Sequence, residues 1–138
     1  MTTDSLLNNP YASFILRSKT LNPQEITSYL GIMPSKSFKR GDIRRDEKKW
    51  THGYWALESS KSVQSIDLIL HIEWLTDQLE LVKPKLVDLL NDKSIEAKIS
   101  CFWIMPTGHE DLILSPKLLQ KISGLNLSVL LDIYCRDY

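Results

Sequence analysis

The chain has 138 residues, 43% hydrophobic and 25% charged, ordinary values for one globular domain. Lys and Arg number 17 and so do Asp and Glu, giving a formal net charge of +0. That argues against a protein that is basic all over and coats nucleic acid, while leaving room for a local basic patch.

Met1 to Pro10 is polar and lacks the cationic start and apolar core of a signal peptide, so residues 1–10 read as a flexible N-terminus and the cytoplasm is the expected location. No run of about 20 apolar residues offers a membrane span. Residues 11–138 read as a single α+β domain.

Tyr11 to Arg17 is short, aromatic and β-branched, the composition of a strand. Asn22-Pro23-Gln24-Glu25 opens a helix, with Asn22 as cap and Pro23 at the first helical position; Ile26, Tyr29 and Leu30 form its apolar stripe and Gly31 ends it. Residues 32–53 read as a long connection with little periodicity. Gly53 to Ser59 alternates as a strand, Tyr54, Ala56 and Glu58 against Trp55, Leu57 and Ser59. Val63 to Val82 carries the strongest helical period, through Leu68, Ile72, Leu75 and Leu79, and Pro84 restarts a second short helix. A strand is expected over Ile95–Met105 and a short one over Asp111–Leu114. Ser115-Pro116 opens a helix closed by Gly124, and Leu127–Cys135 reads as a final strand, apolar enough to be central.

Leu21 to Ile32 aligns with Leu114 to Leu125 without a gap: each has a cap, a proline at the first helical turn and a closing glycine. Two explanations stand side by side. Short helices between strands favour these caps anyway, or the chain is built from two similar βα(β) halves. Both imply a mainly antiparallel sheet with helices packed on one face, in a ferredoxin-like or related two-half sandwich.

The cysteines, Cys101 and Cys135, both lie in apolar runs and are expected to be buried free thiols; whether they are adjacent stays open. A disulfide is disfavoured without an export signal, and no Cys–Cys or Cys–His pair has metal-ligand spacing. No cofactor motif is present.

The candidate site is the segment 36–55. Lys36, Lys39, Arg40, Arg44, Arg45, Lys48 and Lys49 crowd into it, out of 17 Lys and Arg in the chain, and Trp50, His52, Tyr54 and Trp55 follow directly. Cations beside aromatics suit single-stranded nucleic acid, since phosphates meet the charges and bases stack on rings. They suit an anionic ligand or a protein partner equally, and a solvated loop with Trp50 and Trp55 folded into the core is the plain structural alternative. Lys39-Arg40-Gly41-Asp42 reads as a tight turn whose backbone N–H groups offer an anion cradle, without P-loop spacing. Trp74, one turn beyond His71 on the polar side of the long helix, is either a further candidate contact or a cover for the helix end under the basic loop. His52 and His71 are the candidate bases of a small enzyme, but no nucleophile motif accompanies them.

These features, in order, resemble a family. They are Tyr11 to Leu16 as a first strand, Asn22-Pro23-Gln24-Glu25-Ile26-Thr27, then Leu30-Gly31-Ile32-Met33-Pro34, Arg40-Gly41-Asp42 and Gly53-Tyr54-Trp55-Ala56-Leu57-Glu58-Ser59. The order is similar to that of small bacterial proteins grouped as a domain of unknown function, number four-two-seven-nine. The matched positions are Gly31, Pro34, Gly41, Asp42, Trp55, Leu57 and Ser59. The resemblance implies a compact α+β domain and carries no established activity, cofactor or catalytic residue.

The expectation is a non-enzymatic protein-interaction or binding module, with an immunity-type protein that masks a toxin as one form. The alternative is a nucleic-acid or nucleotide/anion binder acting through Lys39, Arg40, Asp42, Arg44, Arg45, Trp50, His52 and Trp55.

Overall fold

The period-two pattern of the first strand decides which side of the sheet is covered. The computed structural model describes residues 9–105 and 109–135. In β1 (Tyr11–Ser18), Ala12, Phe14 and Leu16 are sealed on one side, while Tyr11, Ile15 and Arg17 face the other and stay partly or fully exposed. The chain continues through α1 (Pro23–Leu30), β2 (Lys36–Phe38), β3 (Gly53–Glu58), α2 (Leu68–Glu80), α3 (Lys83–Leu89), β4 (Glu96–Met105), α4 (Pro116–Gly124) and β5 (Ser128–Cys135).

The five strands form one mixed sheet in the order β2-β3-β1-β4-β5. β1 lies antiparallel to both β3 and β4, β2 is antiparallel to β3, and β4 runs parallel to β5. Ile26, Leu30, Leu68, Ile72, Leu75, Leu79, Leu86, Leu118 and Ile122 from the helices close over Ala12, Phe14, Leu16, Trp55, Ile99 and Cys101 in one apolar cluster. The architecture is therefore α+β with the helices on one face of a mainly antiparallel sheet.

The helix caps follow the sequence. Asn22 accepts from the Gln24 N–H at 3.1 Å, and Ser115 accepts from the Leu118 N–H at 3.2 Å, each with proline just inside the helix. The two halves diverge beyond that. β4 and β5 are neighbours joined through α4, whereas β3 sits between β1 and β2. Gly31 takes the left-handed conformation that ends α1 (φ 72°), but Gly124 is still helical and Asn126 supplies the left-handed residue (φ 57°).

Several expectations need correcting. The long helix starts at Leu68, because the Asp67 carboxylate caps it through the Ile69 N–H at 3.0 Å; Val63 is instead in the preceding turn, bonded to the Ser59 carbonyl. Residues 32–53 are not an unpatterned connection but contain β2 and a hairpin. Asp111–Leu114 is not a strand. β5 is an edge strand, mostly exposed, rather than a central one, and Cys135 on it is exposed while Cys101 is buried. Its apolar sequence stays exposed because it packs on β4 alone, with little of the helical layer above it. The flexible N-terminus was expected over residues 1–10, of which 1–8 lie outside the described residues, as do 106–108. Among the described residues, no helix is long and apolar enough to cross a membrane.

Candidate binding site

The basic segment folds into a hairpin that prolongs β2 and β3. Gly41 donates to the Trp50 carbonyl at 2.9 Å, Trp50 returns a bond to the Asp42 carbonyl at 2.8 Å, and Arg44 donates to the Lys48 carbonyl at 2.7 Å. Ile43 bridges Lys49 between them. The turn before this ladder needs a positive φ, which Gly41 provides at 93°. Asp42 then locks it: its carboxylate accepts from the Lys39 N–H at 2.9 Å, and its own N–H donates to the Lys39 carbonyl at 3.0 Å. The N–H groups of Lys39 and Asp42 are thus spent within the turn and that of Gly41 across the hairpin, so none of the three is left for an anion.

Strand pairing places the aromatic side chains. Phe38 is opposite Tyr54, on the face away from the helices, because Trp55 takes the buried side. Phe38 lies flat between Trp50, at 3.7 Å and 11°, and Tyr54, at 4.9 Å and 4°. His52 stands edge-on to Phe38 and Trp50. Two cations lie over the rings of the stack. The Arg44 guanidinium lies 4.8 Å from the Trp50 ring centre, and the Lys36 ammonium 5.9 Å from that of Tyr54. Arg44 also pairs with Asp46 at 3.1 Å. Beside the stack is an open hollow of about 490 Å³ lined by Lys36, Arg44, Arg45, Asp46 and Trp50. Lys39, Arg40, Arg45, Lys48 and Lys49 are exposed and hold no carboxylate in an ion pair among the described residues.

The electrostatics follow from this crowding. Partial burial, then Arg17 and Arg44, push the His52 pKa below its ordinary 6.5. Burial, then Glu58 and Tyr11, push the Tyr54 phenol upward.

Arg44, Arg45, Trp50 and His52 therefore meet at one place, with Lys39, Arg40 and Asp42 in the adjoining turn. Trp55 does not join them. It is fully buried, edge-on to Phe14, and its Nε1 donates to the Thr27 hydroxyl at 3.0 Å, so it ties β3 to α1 and cannot touch a ligand. Trp74 lies half-buried in α2, in the helical layer on the opposite side of the sheet from the stack. Phe38 was missed as a site residue, and Tyr54 was counted among the aromatics of the segment but not among its binding residues. The available signal was the short alternation Lys36-Ser37-Phe38 facing Tyr54 and Ala56, visible once the two segments are read as paired.

Residues 8–136 match a family by sequence along nearly the whole chain. The chain belongs to the family Domain of unknown function (DUF4279). No curated protein and no solved structure matches it. In this DUF4279 chain the positions that carried the resemblance are turn and core: Gly31 and Gly41 have positive φ, and Trp55, Leu57 and Ser59 are buried.

The histidines behave differently from one another. His71 is not on a polar face; it is 1% exposed, since α2 turns it inward toward the end of β3. Its Nε2 donates to the Ser65 carbonyl at 2.8 Å, and its Nδ1 accepts from the Ser59 hydroxyl at 2.7 Å in the neutral ring. The Ser59 oxygen in turn accepts from the Ala12 N–H at 2.9 Å. This is a serine–histidine contact, but both members are sealed from solvent and the bonds join β1, β3 and α2. His109 is highly exposed, 3.7 Å from Asp111.

Proposed function

We propose that this chain is a non-enzymatic protein-interaction module whose binding element is the hairpin between β2 and β3, and that its partner presents an acidic surface. The observation that carries the reading is the aromatic stack with cations over its rings. Trp50 stacks on Phe38 with the Arg44 guanidinium 4.8 Å from its ring centre, and Tyr54 stacks on Phe38 with the Lys36 ammonium 5.9 Å from its own. What the hairpin offers is a rigid rim of Trp, Tyr and Arg surrounded by unpaired cations, the chemistry enriched in protein interface hot spots. An immunity-type protein that covers a toxin is one form of such a module.

The test is a pull-down from native lysate with wild-type bait and with bait in which Lys39, Arg40, Arg44 and Arg45 are all alanine. Mass spectrometry reads retained protein, and absorbance with and without nuclease reads retained nucleic acid. One protein partner, lost by the variant, is expected. Nuclease-sensitive material lost by the variant, with a log–log salt slope of about −0.7 per phosphate contact, would replace this reading with single-strand binding.

A further inference from the structure

We propose that β5 is a self-pairing edge, and that two copies join by antiparallel β5–β5 contact into one ten-stranded sheet. This rests on the edge opposite the hairpin, so it stands or falls separately from the binding reading.

The two edges of the sheet are built differently. β2 is three residues long and carries Lys36, the features that normally blunt an edge. β5 runs for eight residues in unbroken register with β4, without a bulge, and its sequence has no Lys, Pro or Gly. Its outer N–H and C=O groups form a template for another strand. Large apolar side chains are exposed on both faces: Leu130 and Tyr134 on the open side, Leu131 and Ile133 on the helix side. Zero net charge removes long-range repulsion between copies.

The strand's own sequence selects the occupant and the register. In a continuous antiparallel pair, residues directly opposite must point to the same face. The two-fold axis must then pass through a residue, and only a centre near the middle of β5 uses most of the strand. Centring on Asp132 would set two carboxylates against each other, which is destabilising. Centring on Leu131 pairs every residue from Ser128 to Tyr134 with its two-fold mate. On the helix side it sets Leu131 against Leu131 of the other copy and Val129 against Ile133, an unbroken apolar row. On the open side it sets Leu130 against Asp132 and Ser128 against Tyr134. Such an isologous contact closes on itself and leaves the β2 edges at the two ends.

Register-specific cross-linking tests this. In a Cys135→Ser background, Leu131→Cys places two thiols on the axis, where opposed Cα atoms are about 4.5–5.5 Å apart and a disulfide can form. Leu130→Cys places them on a diagonal of about 7–8 Å, at or beyond the bridging limit. The expected result is covalent dimer from Leu131→Cys at least about tenfold faster than from Leu130→Cys. Sedimentation of the wild type should show a concentration-dependent dimer, and Leu131→Lys should be monomeric with unchanged circular dichroism and a melting temperature that no longer depends on protein concentration. Equal oxidation rates, a wild type that stays monomeric through the micromolar range, or a dimer that survives Leu131→Lys would each overturn the proposal.

Discussion

Changing Ser59 to Ala removes one oxygen and strands two partners. The Ser59 hydroxyl both accepts from the Ala12 N–H and donates to His71 Nδ1, at 2.9 and 2.7 Å, and both Ser59 and His71 are sealed from solvent. A buried polar group left without a partner costs about 1–3 kcal/mol, so the pair together cost about 2–6 kcal/mol, a large share of the roughly 5–15 kcal/mol that holds a domain folded. With a urea m-value of about 2 kcal/mol/M, the unfolding midpoint should fall by about 1–3 M at unchanged slope. His71→Leu should cost less, because Ser59 then still serves the Ala12 N–H. The double variant should lose less than the sum of the two, by about 1–3 kcal/mol, since the stranded imidazole is gone. A Ser59→Ala midpoint within about 0.3 M of wild type, or strictly additive costs, would show that the contact does not hold β1, β3 and α2 together.

Gly53→Ala should be more damaging than a surface glycine change, because a Cβ there would lie 2.0 Å from the Leu21 carbonyl oxygen; the loss should be about 3 kcal/mol or more, read by thermal melting or by failure to recover folded protein. In the native state one thiol, Cys135, should react with a maleimide, whereas Cys101, buried with its pKa pushed up to about 12, should react only in denaturant. His52 should titrate below 6.5 by NMR, and Arg44→Ala should move it upward. Because the unfolded ring takes its proton first as pH falls, the His52 contribution should be full above 6.5 and shrink below it, so a stability that rises on acidification through this range would contradict the assignment.

How far the sequence could be read depended on whether a signal was local. The caps Asn22 and Ser115, the positive φ of Gly41 and the alternation of Gly53–Ser59 are contained in a few adjacent residues, and each appears in the structure as expected. The errors came where position depends on distant chain. Leu127–Cys135 has the composition of a buried strand, but its place at the rim follows from the order of the whole sheet. Trp50 and Trp55 look alike in sequence; five residues apart, they differ because β3 turns Trp55 to Thr27 and the hairpin turns Trp50 to Phe38. His71 reads as polar until Ser59 and Ser65 are brought to it. Within the candidate site, the cations were legible by count and the stack was not, since it needs the pairing of β2 with β3.

The centre of the sheet is the strand made first. Phe14 meets its β4 partner Ile99 only after about 85 further residues have been added, which at roughly 5–20 residues per second takes about 4–17 s. Through that interval Ala12, Phe14 and Leu16 lack half of their sheet, in a topology whose pairings span most of the chain. On the ribosome, the nascent chain would therefore carry β1 with one backbone edge unpaired for seconds, even after α2 has reached its apolar face.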